Sequence, residues 1–231
     1  TDHAGRLPKL YKEGFRGEVV ATAATIDLIK KALPDNLKLI EQEARETRRE
    51  PLFSLEDLEG VLGLARGVSY EEEIKLGDGN KAILHDAGHI LGSSIVEIQW
   101  KNKSEIRNPK FETELERIYF TGDLGNPPTP LLKPYKFVSD ADYVVIESAY
   151  GSRTHEDKAE RKNILQKVII ETMQRGGVLM IPSFAMERTQ ELLYELNNLM
   201  NEGKIPKVPV YVDSPLATNL TEVYKKYPDY F

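Results

Sequence analysis

The 231 residues are 40% hydrophobic and 29% charged, with a formal charge of −6, four histidines and no cysteine. That apolar fraction suits a packed core of one large domain or two modest ones and excludes general disorder. Lack of cysteine removes any disulfide framework, thiolate metal knot or cysteine nucleophile, so a metal would have to rest on histidine and carboxylate.

No run of about 18 apolar residues is present to span a bilayer, and the opening TDHAGRLPKL lacks the basic-then-apolar order of a signal peptide. A soluble cytoplasmic protein is therefore expected. The acidic balance argues against general polyanion binding by counterion release, while a local basic groove stays open. An opening on Thr1 points to a chain that begins inside a longer protein.

In chain order, Ile26, Ile29 and Leu33 share one face of a helix over 25–33, which Pro34 is expected to end. The mixed-sign stretch 37–51 reads as a solvated helix, and Ser54 as the N-cap of a helix over 54–65. From about residue 70 the period becomes that of strands. Residues 71–87 form two strands about a tight turn at Asp78-Gly79, since Asp-Gly accepts positive φ. Residues 94–100 and 117–120 are further strands, with the polar stretch between them a loop or hairpin tip. In the second half, the apolar run 143–147 reads as a buried strand. A helix through 162–175, a strand at 178–182, a helix from about 186 to 200 and a strand at 208–212 follow. That alternation predicts parallel βαβ units and a change of architecture near residue 150.

The chemistry-bearing residues are few. His85 and His89 have the spacing of a zinc-binding helix, but Asp86, the flanking Gly88 and Gly92 and the preceding strand pattern reject a helix there. His89 reads instead as a residue on the turn after a strand, either a hydrogen-bonded structural histidine or one aimed into a site. Asp123, in FTGDLGN after a strand, is either a pocket carboxylate or a turn aspartate bonding its own backbone. P-loop, G-x-S-x-G and S-x-x-K patterns are missing. Glu147, Ser183 and Ser214 follow the ends of the three apolar runs, which as parallel strands would bring them to the carboxyl edge of one sheet, where open α/β sheets take ligands. Ser183 and Ser214 also fit as N-caps, with Arg188 nearby to add charge for a phosphate oxygen. Capping accounts for the serines and leaves Glu147, an acid ending an apolar strand, unexplained.

These segments, in order, carry a resemblance. TDHAGRLPKL resembles the tail of the HxHxDH motif of metallo-β-lactamase-fold hydrolases, DAGHILGS their third motif and FTGDLGN their fourth. IESAYGSRTH, IPSFAMERTQELLYEL and VYVDSPLA resemble successive segments of the β-CASP domain. The chain thus looks like a member of the β-CASP group, similar to RNA-processing hydrolases related to the nuclease subunit of the cleavage and polyadenylation specificity factor. The fold this implies is α/β: part of a metallo-β-lactamase αββα sandwich over 1–149 lacking its N-terminal end, then the start of an inserted β-CASP βαβ domain over 150–231 lacking its C-terminal part.

The resemblance implies two zinc ions per complete active site. His89 would ligate the first, Asp2 and His3 would lie at the second, and Asp123 would bridge them, its two oxygens reaching ions roughly 3.5–4 Å apart. Asp2 and Glu147 are the implied catalytic residues, Glu147 by orienting a histidine that assists the leaving oxygen. Ser183, Arg188 and Ser214 are the implied substrate contacts. The family's two earlier histidines and its later ones have no counterpart, and neither His85 nor His155 stands in for them. Glu187 beside Arg188 is a further departure, an acid expected to weaken phosphate attraction. The expected activity is zinc-dependent phosphodiester hydrolysis on single-stranded RNA, with no membrane partner and a homodimer allowed. The alternatives are a catalytically silent scaffold binding RNA or a partner, and a metallo-hydrolase of small esters or thioesters.

Overall fold

The computed structural model describes residues 3–101, 115–152 and 159–231; Asp2, His155 and the polar stretch 102–114 lie outside them. After helix α1 (Leu7–Lys12), strand β1 (Val19–Thr22) runs directly into helix α2 (Ala23–Thr47), capped by the Thr22 hydroxyl, which accepts from the Thr25 amide. Pro34 lies inside α2 instead of ending it, and the charged stretch supplies the helix's last turns. The reason is packing. Leu33 and Leu37, flanking the proline, are buried with Ile26, Ile29, Phe53 and Leu58 in one cluster. Burial at roughly 1.5–3 kcal/mol per side chain outweighs the ~3 kcal/mol cost of an interior proline.

Helix α3 (Leu55–Gly63) opens on the expected Ser54, in a reciprocal capping box with Asp57. It leads to β2 (Ala65–Val68), which pairs in parallel with β1. A second sheet has the order β3 (Glu73–Gly77), β4 (Asn80–Asp86), β5 (Ser94–Lys101), β6 (Leu115–Phe120), β7 (Tyr143–Val145). Its pairs are antiparallel except β6–β7, which is parallel. The β3–β4 turn falls at Asp78 and Gly79, both at positive φ (52° and 80°), as the sequence predicts.

Val20 and Val68 of the small sheet pack with Ile74, Ala82, Leu84, Val96 and Ile98 on one face of the large one. The other face is mixed, apolar at Ile95 and Tyr119 and polar beside them. Buried His85 lies 2.9 Å from a Glu71 oxygen through Nδ1 and 2.6 Å from a buried Glu97 oxygen through Nε2. Burial alone would raise the Glu71 carboxyl, but hydrogen bonds from Lys136 and His85 hold it below its ordinary value. His85 is thereby engaged inside the sheet.

The second half holds α4 (Ala159–Gln174), α5 (Arg188–Asn201) and α6 (Pro215–Tyr224), ending in a short 3-10 turn, Pro228–Tyr230. Helix α6 packs on α2 through a cluster of Ala24, Leu28, Leu91, Leu220, Val223 and Tyr224, which joins the two halves. The strands expected at 178–182 and 208–212 do not form among the described residues. A strand needs a neighbour for its N–H and C=O groups, and these extended runs have no ladder partner in either sheet; Val178, Met180 and Tyr211 are 85–87% exposed. The run 143–147 is likewise no buried strand. Only Tyr143–Val145 pair, on β6 alone, and all four residues from Tyr143 to Ile146 are at least half exposed. The expected single sheet edge bearing Glu147, Ser183 and Ser214 is thus not built among the described residues, and Glu147 alone follows a strand end.

Candidate functional site

Two turns meet at one end of the large sheet. The first, 87–93, leaves β4 and returns as β5. Its own Ser93 organises it: the amides of His89 and Ile90 donate to Ser93 Oγ, and the amide of Ala87 donates to the Ser93 carbonyl. Asp86 Oδ1 accepts from the Gly88 amide at 2.7 Å, and burial raises that carboxyl above its ordinary value. Thr22 and Thr25, at the start of α2, both donate their hydroxyls to the Gly92 carbonyl at 2.9 Å. Gly92 has φ +79°, and a Cβ there would lie 2.6 Å from Thr22 Oγ1, so the sequence needs glycine on both counts.

The second turn, 121–126, leaves β6. Because β6 and β7 are parallel, their carboxyl ends lie side by side, which brings Glu147 against the Asp123 turn: Glu147 Oε1 accepts from the Leu124 amide at 2.6 Å. The turns are tied directly by the Gly125 amide, which donates to the Ala87 carbonyl at 2.7 Å.

This frame gathers three of the sequence-predicted residues. His3 Nε2 lies 3.1 Å from Asp123 Oδ2, and His89 Nε2 lies 3.7 Å from the same oxygen. All three side chains are partly open to solvent, at 62%, 42% and 43% exposure for His3, Asp123 and His89. His89 is on the turn after a strand, as expected, and Asp123 is not bonding its own backbone in any described hydrogen bond. Imidazole nitrogens around a shared carboxylate are the donor types zinc takes. They fit the ion in kind but do not complete it in number: among the described residues, no group of three such side chains is arranged to hold an ion.

The remaining predicted residues are elsewhere. Ser183 is no N-cap; its hydroxyl lies 2.9 Å from Thr189 Oγ1, and α5 starts only at Arg188. Ser214 does cap α6, accepting from the Ala217 amide, with Pro215 behind it as expected. The exposed Arg188 pairs at 2.6 Å with Glu191, whose side chain is only 12% exposed. Glu187 does not face it: its carboxylate turns inward, accepting from the Leu91 amide and the Tyr224 hydroxyl, and burial pushes it up to about 7. It remains near enough to feel the Arg188 charge, while its hydrogen bonds run inward. Sequence reasoning missed this inward role, and missed the Thr22/Thr25 clamp, for which the only local signal was a threonine preceding a helical pattern.

A family profile described as the Beta-Casp domain matches residues 189–231. Over its whole length the chain is 36% identical to "Ribonuclease TTHA0252" of Thermus thermophilus, covering 48% of that protein. A β-CASP domain is thus recognised over residues 189–231. Two further relatives are each named "Transcription termination factor FttA", from Methanosarcina mazei and Thermococcus kodakarensis. Both are 31% identical over 99% of the chain, which covers 34% and 33% of them. The chain thus spans about half the length of the first relative and a third of the others. No described helix is long and apolar enough to cross a membrane.

Proposed function

We propose that the protein bearing this chain is a zinc-dependent ribonuclease that cleaves phosphodiester bonds in single-stranded RNA, in the cytoplasm. The observation that carries this reading is the convergence of His3 and His89 on Asp123 Oδ2, at the meeting point of two interlocked turns. His89, Asp123, His3 and Asp2 are the residues that would hold the two ions. Bound there, zinc supplies Lewis acidity toward a phosphoryl oxygen and brings the pKa of a water to about 7.

The protein's own side chains hold this arrangement. Asp123 offers a second oxygen beyond the one shared by the histidines, as bridging requires. Glu147 fixes the Asp123 turn through Leu124, a contact that leaves its other oxygen for the histidine-orienting role the family pattern gives it. Arg188 has an exposed guanidinium with donors beyond its Glu191 bond, suited to an RNA phosphate, and Ser183 and Ser214 sit at the ends of exposed, extended segments that an RNA strand could follow.

The test is cleavage of labelled single-stranded RNA by the purified protein. Chelator should stop it, and Asp123→Ala should lower it by more than the roughly 10–100-fold that loss of a mere outer partner costs. Chelator-sensitive cleavage retained in Asp123→Ala would rule out the bridging role. The names of the other two relatives favour a second reading, in which the same RNA chemistry serves transcription termination.

A further inference from the structure

We propose that Glu187 is a positioning residue for the His89 turn, through which the second half of the chain holds the metal-binding side chain of the first half in place. The inference rests on the zinc-site reading above.

Glu187 is costly where it stands. Its backbone has φ 63° and ψ −60°, a region that L side chains rarely adopt. It is the N-cap residue of α5 and makes no side-chain capping bond to that helix. Its side chain is buried at 9% exposure, and Oε1 has no hydrogen-bond partner. Strain and a half-satisfied buried carboxylate bring no return within α5 itself.

The return is across the joint. Glu187 Oε2 accepts from the Leu91 amide at 3.3 Å and from the Tyr224 hydroxyl at 2.6 Å. Leu91 follows His89 by two residues, and its side chain is fully buried among Ala24, Leu28, Leu220 and Tyr224. The first half already holds this turn through Thr22, Thr25 and Ser93. Glu187 adds a tie from the second half, to the backbone amide between the His89 side chain and the clamped Gly92 carbonyl. The orientation of His89 is then coupled to the seating of α5 and α6.

Glu187→Ala, Glu187→Gln and Tyr224→Phe in the purified protein separate positioning from simple stability. Glu187→Ala should weaken Zn²⁺ and Co²⁺ affinity by about 10–100-fold, the range for residues that orient metal ligands. It should also change the visible absorption of the cobalt form and lower kcat on RNA with KM nearly constant. Glu187→Gln, whose amide oxygen accepts from the same two donors, should restore the cobalt spectrum and most of the affinity. Tyr224→Phe should shift both in the same direction as Glu187→Ala, by less, and carries the test if Glu187→Ala is not recovered folded. A variant that melts earlier but keeps wild-type affinity and cobalt spectrum would overturn the inference, as would Glu187→Gln failing like Glu187→Ala. Wild-type protein that neither binds these ions nor cuts RNA would instead remove the zinc-site reading itself.

Discussion

At the scale of single residues, the chain places ionisable groups where burial changes their behaviour. Glu187 is the clearest case, since burial raises its carboxyl from an ordinary value of 4.5 to about 7. A raised folded-state value means the folded protein keeps this proton where the unfolded chain has lost it. The stabilising contribution is therefore complete below about pH 4.5 and is lost as pH rises through about 7, a change on the order of 3 kcal/mol. Glu187→Gln has no proton to lose. The difference in melting temperature between the Gln variant and wild type should accordingly grow in favour of the variant from pH 5 to pH 8. A constant difference across that range would show that Glu187 does not titrate there.

His85 shows the opposite arrangement, a histidine faced by carboxylates on both ring nitrogens and stacked on Tyr119 with ring centroids 5.9 Å apart. Its spacing from His89 invites a metal, while its place on the strand commits it to the sheet interior. The alternation of residues around His85 makes that commitment legible in the sequence.

At the scale of elements, the two turns behave as one part. Gly125 donates to Ala87, and a Cβ added at Gly125 would overlap the Gly88 carbonyl. The atom it meets is backbone, so no side chain can swing aside. Gly125→Ala should force the His89 and Asp123 turns apart, lowering stability by about 1–3 kcal/mol as overpacking does and weakening metal affinity with it. Thermal melts with a zinc titration check this, and an Ala variant with unchanged melting and affinity would show that the turns are not locked.

The elements also show which features a sequence reveals by itself. The Ser54–Asp57 capping box, the Asp78-Gly79 hairpin and the turn placement of His89 are local, each written within a few neighbouring residues. Helix α2 is not legible past Pro34, because what overrides the proline is a cluster completed by Phe53 and Leu58. Glu187 is least legible of all. Its partners are 96 and 37 residues away, so in the sequence it reads as a groove acid when it is a tie between halves.

At the scale of the whole molecule, the two parts are joined by an apolar cluster that includes the His89 turn. Helix α6 lies on α2, and Leu91 packs in the cluster they share. Around this joint the extended runs 178–182 and 208–212 stay exposed. Their apolar pattern is that of strands, but pairing is a property of neighbours, and neither run has a ladder partner among the described residues. The metal donors have the same character: His3 and His89 approach Asp123, no group of three such donors among the described residues is arranged to hold an ion, and a two-ion site needs more.

The most direct measurement is therefore the metal content of the purified protein bearing this chain, by native mass spectrometry with and without Asp123→Ala. Two zinc ions per chain are expected in the wild type, and loss of at least one in the variant. A folded wild-type protein that cleaves RNA while holding no zinc, or an Asp123→Ala variant that keeps both ions, would contradict this.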